Sequence, residues 1–114
     1  MQHKHLRFGH GFQVVLGDKH SQAAQMTLGP GEVEGGPDNR HHGADQWLFV
    51  VSGIGAALVE GEPVELREGT LVLIQRGERH EIRNIGAAPL KTLNVYVPPA
   101  YTEEGDELPA GRPE

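Results

Sequence analysis

Two adjacent histidines, His41 and His42, stand five and four residues before Gln46 in the stretch NRHHGADQWLFVVSG, residues 39–53. Imidazole nitrogens suit Zn, Cu, Fe and Ni, so the pair is a candidate metal-binding element. A metal site more often places a carboxylate nearby than the neutral amide of Gln46. The chain has seven histidines and no cysteine, which excludes thiolate zinc sites, disulfides and cysteine nucleophiles. His3 and His5 lie in a polar N-terminal arm and read as solvated. His10 and His20 read as surface positions.

These residues can act together only if the chain positions them. Sixteen glycines and eight prolines punctuate 114 residues. Between the turn signals lie strand-length runs: FQVVLG (12–17), QAAQMTL (22–28), QWLFVV (46–51), GAALVE (55–60), PVEL (63–66), TLVLIQ (70–75), HEIRNI (80–85) and LKTLNVYV (90–97). Short strands at this spacing predict an all-β sandwich or barrel of antiparallel strands, and no segment holds a helical apolar period over three turns. Side chains alternate along a strand. His80, Ile82 and Asn84 therefore share one face of their strand, opposite Glu81, Arg83 and Ile85. Gln46, Leu48 and Val50 share a face opposite Trp47, Phe49 and Val51. Both faces of this second strand are apolar. A small barrel has one inside, so the outer face needs a further layer or a partner subunit.

The length suits one domain, read here as residues 1–114 with a barrel core at 12–97. From Pro98 the sequence PPAYTEEGDELPAGRPE is acidic and without period, and reads as a C-terminal tail. The alternative is an arm anchored on a neighbour by Tyr101 and Leu108. A net charge of −6 with scattered Lys and Arg argues against nucleic-acid binding. No apolar run approaches the roughly 20 residues of a membrane span, and MQHKHLRFGHG lacks the apolar core of a secretory signal. A cytoplasmic protein is expected.

Sixteen residues after Gly53 begins GTLVLIQRGERHEIRN: Gly69, five residues, Gln75, one residue, Gly77, two residues, His80, three residues, Asn84. This resembles the second motif of the cupin superfamily, G-x5-P-x-G-x2-H-x3-N, with Gln75 in place of the proline. The first cupin motif, G-x5-H-x-H-x3,4-E-x6-G, is degraded here. Counting back from Gly53 puts Gln46 at the glutamate position, with Gly35 or Gly36 for the leading glycine. The resemblance covers residues 35–97. It implies a small antiparallel barrel of jelly-roll type, the double-stranded β-helix.

The resemblance also implies a divalent transition metal (Fe, Zn, Ni, Cu or Mn) inside the barrel, held by His41 and/or His42, Gln46 and His80. Three residues between the last histidine and Gln46 would make His42 the second ligand, with Arg40 replacing the first. Four would make it His41, with Asn39 replacing the first. Strand parity favours His42, and a bulge at Gly43-Ala44 would bring in His41. A glutamine leaves the ion's charge less balanced than a glutamate would, which favours an anionic small molecule at the open position. Asp45 points away by parity, and Arg40 or Arg76 at the rim would strengthen the preference for an anion. The implied activities are dioxygenase, isomerase or decarboxylase-like chemistry, with a non-catalytic binding or sensing module as the alternative. A homodimer is expected from the outer apolar face and from the family. Asn84 reads as a structural hydrogen-bonder, and Arg76, Arg79 and Arg83 as exposed charges paired with Glu78 and Glu81.

Overall fold

The computed structural model describes residues 1–35 and 43–102. Within them lie nine strands: β1 (Gly11–Gly17), β2 (Gln22–Leu28), β3 (Val33–Gly35), β4 (Asp45–Ser52), β5 (Ile54–Val59), β6 (Glu62–Arg67), β7 (Leu71–Ile74), β8 (His80–Asn84) and β9 (Leu90–Val97). They form a five-stranded sheet in the order β1-β2-β9-β4-β7 and a four-stranded sheet in the order β3-β8-β5-β6. Every ladder is antiparallel. The chain is thus all-β and of jelly-roll type, as its strand spacing predicts. Among the described residues no helix is long and apolar enough to cross a membrane. The eight expected runs all become strands. The ninth, β3, is three exposed residues, too short to carry a period.

The core lies between the sheets. Met26, Leu28, Leu48, Val50 and Leu90 from the larger sheet meet Ala57, Leu66 and Ile82 from the smaller. Leu48, Leu66, Ile82 and Leu90 are essentially inaccessible, and each such side chain contributes about 1.5–3 kcal/mol by leaving water. A second cluster joins Ala24, Ala44, Tyr96 and Ala100 with Phe12, Val14 and Tyr101. It shows where the segment after Pro98 goes. Tyr101 lies 4.7 Å from Phe12 and 5.1 Å from Tyr96 between ring centroids. The Gln22 side chain accepts from the backbone N–H groups of Ala100 and Tyr101 and donates to the Tyr101 carbonyl at 2.7 Å. Tyr101 therefore packs on its own barrel. Leu108 lies outside the described residues.

The end of the barrel where β8 finishes is closed by hydrogen bonds. Asn84 is 1% exposed. Its amide nitrogen donates to the carbonyls of Leu28 (2.8 Å) and Ala88 (2.9 Å), and its amide oxygen accepts from Gly86 N–H at 2.8 Å. This is the structural role expected of it. At the same end Gly53 adopts φ +100°, and a Cβ there would come within 2.5 Å of the Pro89 carbonyl oxygen. The first motif ends on glycine because the β4–β5 turn must pass this close to the start of β9.

The outer face of the larger sheet is only partly covered. Over β2, the arm before β1 satisfies Gln25, whose amide donates to the Arg7 carbonyl at 2.6 Å. Over β4 and β7, Trp47 faces Leu73 and Phe49 faces Leu71 across the ladder. All four are at least 40% exposed. Within the described residues the chain provides no second layer for this face.

Two consequences can be checked by denaturant unfolding. Asn84→Ala leaves the buried Leu28 carbonyl and the part-buried Ala88 carbonyl and Gly86 N–H without this partner, and is expected to cost about 2 kcal/mol. At the opposite end, the Asp45 carboxylate accepts hydrogen bonds from the Arg76 guanidinium and from Arg76 backbone N–H. These hold its carboxyl below the usual carboxylate range. A depressed folded-state pKa stabilises above the unfolded value, about 3.9, and the contribution fades as pH falls through the folded value. The pair is partly exposed, so the effect is about 1 kcal/mol or less. Asp45→Asn should be the less stable protein at pH 7 and should match the native chain once the pH has fallen below the lowered folded-state value.

Candidate functional site

Of the four residues expected to form a site, His41 and His42 lie outside the described residues. Gln46 and His80 are both inside the barrel, each 4% exposed. Their placement at one end of the barrel follows from register and connectivity. Gln46, on the inner face of β4, pairs with Ile74 of β7 and Tyr96 of β9. Ile74 ends β7, and five residues of turn then deliver His80 as the first residue of β8. Both therefore lie at the end of the barrel where the chain crosses from the larger sheet to the smaller. Gly35, the last residue of β3, pairs with Glu81, next to His80.

The crossing turn is built by the motif residues. Gly77 takes φ +84°. Gln75 backbone N–H donates to the Glu78 carboxylate at 2.7 Å, and Glu78 N–H donates back to the Gln75 carbonyl at 3.0 Å. A proline at position 75 has no N–H and could not make the first bond. The departure from the motif thus gains a hydrogen bond that closes the turn.

Two arginines clamp the turn from either side. Arg76 binds Asp45, beside Gln46. Arg79, beside His80, is held by Glu60, whose carboxylate accepts its backbone N–H at 2.6 Å and its guanidinium at 3.4 Å. Glu60 itself sits at φ +48° in the β5–β6 turn, a conformation that costs a non-glycine residue about 1–2 kcal/mol. These contacts correct the expected pairings. Arg76 and Arg79 bind Asp45 and Glu60 rather than Glu78 and Glu81, and only Arg83–Glu81 (3.6 Å) is as expected. Asp45 does turn away from the interior, as parity requires. Arg76 is engaged with it, so its charge at this rim is already balanced.

His80 Nδ1 lies 3.3 Å from the Glu78 carbonyl oxygen. A proton on Nδ1 donated there puts the ring's lone pair on Nε2, the arrangement of a ligating imidazole. A hollow of about 260 Å³ lined by Leu58, Glu60, Gly61, Arg79 and His80 reaches this ring from the hairpin side. His10 and His20, by contrast, are on the surface, and His10 pairs with Glu32 at 2.8 Å.

Gln46 does not stand alone. Its amide nitrogen is 3.5 Å from Asn94 Oδ1 on β9. That contact directs Gln46 Oε1 elsewhere, and this oxygen is buried with no hydrogen-bond partner among the described residues. Asn94 Nδ2 and Thr92 Oγ1, both fully buried, also have none there. Sequence reasoning missed Asn94 and Thr92. The signal was present in LKTLNVYV, where both share a face with Leu90 and Tyr96 by period-two alternation.

Among the described residues no group of three His, Asp or Glu side chains is placed to hold a metal ion. What they offer is one imidazole and one neutral amide oxygen. The unpartnered Gln46 Oε1 fits a cation or a hydrogen-bond donor, because a buried acceptor without either is costly.

Residues 24–96 match the family model for the cupin domain. A tetracenomycin polyketide synthase protein of Streptomyces glaucescens, TcmJ, is 32% identical over 79 residues, which are 69% of this chain and 52% of that protein. The chain thus spans about half the length of this curated relative. Among solved structures, the BH2720 protein of Bacillus halodurans is 26% identical with a TM-score of 0.72, over 90% of this chain and 76% of that one. A predicted oxalate decarboxylase of Thermotoga maritima is also 26% identical, with a TM-score of 0.61 over 71% and 69% of the two chains. The family match covers strands of both sheets, β1 excepted, and both inward residues, Gln46 and His80, and the chain belongs to the cupin family.

Proposed function

We propose that the chain binds a small, oxygen-rich anionic molecule inside its barrel through a divalent transition metal. His80 and Gln46 Oε1 would hold the ion, with His41 and/or His42 supplying further imidazole. The buried Gln46 Oε1, unpartnered among the described residues, carries this reading. It is an acceptor without a donor, on the inner face at the end where His80 enters, and a cation satisfies it. Bound there, such an ion supplies Lewis acidity. Three or four neutral ligands leave both of its positive charges uncompensated, which favours an anion at the open position. Asp45 does not compensate them, since it faces Arg76. The carboxylate-bearing substrate named for the Thermotoga maritima relative, and the polyketide synthase association of the Streptomyces glaucescens one, are in keeping with an oxygen-rich ligand.

This chain's own residues would bind and orient that ligand. His80, fixed by its turn, faces it from the smaller sheet, and Gln46 from the larger. Dioxygenase chemistry is the first activity to assay, followed by isomerase and decarboxylase reactions, with simple binding or sensing as the alternative. Oxygen uptake with enediols and small keto acids separates the oxygenase from the binder.

The exposed Trp47–Leu73 and Phe49–Leu71 rows support a homodimer built on the outer face of β4 and β7. Apolar side chains clustered in this way mark an association surface.

Metal binding and association state test these readings. Elemental analysis and metal titration should find one equivalent of a transition metal. His80→Ala should weaken its binding by more than the roughly 10–100-fold lost with an outer-shell partner. Gln46→Glu should be less stable without metal, because it buries a charge, and should gain affinity for a hard ion such as Mn2+. No stoichiometric metal in the native protein, or unchanged binding in His80→Ala, rejects the metal reading. In sedimentation, the native chain should run as a dimer and Phe49→Glu as a monomer. A monomeric native chain at tens of micromolar rejects the dimer.

A further inference from the structure

The buried polar side chains of this barrel fall into two sets. Asn84, Gln22 and Gln25 are fully engaged, each with two or three hydrogen bonds to the chain. Gln46 Oε1, Asn94 Nδ2 and Thr92 Oγ1 are unpartnered among the described residues. Thr27 Oγ1, the other unpartnered buried group there, lies across β2 on the side away from the core. The first three belong to adjacent strands and point to one interior.

The register orders them in depth. The outermost layer at the His80 end pairs Gln22, Tyr96, Gln46 and Ile74. One layer deeper come Ala24, Asn94, Leu48 and Val72, and below them Met26, Thr92 and Val50. A polar track therefore runs from Gln46 on β4 to Asn94 and then Thr92 on β9, and below the outermost layer its neighbours on β2, β4 and β7 are apolar. Asn94 is flanked in its layer by Ala24 on one side and Leu48 on the other.

The track also has a direction. Gln46 Nε2 is committed to Asn94 Oδ1, so the groups left over are an acceptor at the mouth and donors below it. Gln46 Oε1 suits a cation. Asn94 Nδ2 can only donate, and the Thr92 hydroxyl can donate as well. Their natural partner is an oxygen with lone pairs and negative charge. The guanidinium groups of Arg76 and Arg79 at this end are held by Asp45 and Glu60.

We propose that Asn94 and Thr92 are specificity-determining residues, whose Nδ2–H and Oγ–H donate to a carboxylate or enolate oxygen of the molecule bound in the barrel. This rests on the barrel interior being the ligand site, but not on the metal. Recognition by neutral donors of fixed direction selects an oxygen acceptor by geometry and leaves a group that lacks one poorly bound.

The test titrates ¹⁵N-labelled protein with oxalate and with acetate, with and without Zn2+, and follows the side-chain N–H resonances of Asn94. These should shift saturably in at least one of the two states. Asn94→Leu, and separately Thr92→Val, should bind the same carboxylate about 10- to 100-fold more weakly. Thr92→Val should be at least as stable as the native chain without ligand, since it removes an unpartnered buried group, whereas Asn94→Leu also takes the acceptor from Gln46 Nε2 and should be somewhat less stable. Should Asn94→Leu fail to fold, Thr92→Val carries the comparison. Asn94 resonances that stay still with both carboxylates in both states, or affinities unchanged in the variants, overturn the proposal and leave a structural or water-bound role. If Zn2+ does not bind but oxalate moves Asn94, the metal reading fails and this one stands. If Zn2+ binds and neither carboxylate moves Asn94, the metal reading stands and this one fails.

Discussion

The ladder that holds β4 on both edges governs the rest of this molecule. β7 pairs with one side of it and β9 with the other, so β4 has no freedom to slip. A one-residue slip would exchange Gln46, Leu48 and Val50 for Trp47, Phe49 and Val51. The interior would then be filled by an indole and a phenyl ring, and the inward amide would be lost. The same ladder sets the depth of Asn94, opposite Leu48, and of Thr92, opposite Val50. Position in the barrel is thus inherited from backbone hydrogen bonds.

Charge is handled differently at the rim and in the interior. At the rim every arginine of the second motif is paired with a carboxylate: Arg76 with Asp45, Arg79 with Glu60 and Arg83 with Glu81. Exposed pairs of this kind add little stability. Their value here is positional, because two of them flank the turn that delivers His80. Inside, the groups around Gln46 are neutral amides and a hydroxyl. The site end therefore offers directed dipoles in a low-dielectric setting, where a hydrogen bond is stronger than in water and an unmet one is costlier.

Much of this could be read from the sequence, for physical reasons that also explain the failures. Turn residues and period-two alternation located eight strands, and the spacing from Gly69 to Asn84 located His80. Counting back from Gly53 placed Gln46 on the inner face, where it is found. β3 escaped because three residues carry no period. The partners of Arg76 and Arg79 escaped because Asp45 and Glu60 are remote in sequence and meet them only through the fold. Tyr101 looked like part of an acidic tail, and nothing local reveals that Gln22 holds it. Asn94 and Thr92 were visible as polar residues in an apolar strand. Their lack of partners was not, because it depends on every neighbour at once. The choice between His41 and His42 lies outside the described residues.

The hydrogen bonding around Asn84 has a consequence for motion. At that end of the barrel the demand of a buried amide is met by two carbonyls and an N–H drawn from two segments, the end of β2 and the β8–β9 turn. At the other end, among the described residues, the amides of Gln46 and Asn94 meet only each other. Stability is not uniform along a structure. The Asn84 end is the one that a buried amide ties across β2 and the β8–β9 turn, and a motion that spares it spares the register that sets which side chains share the interior.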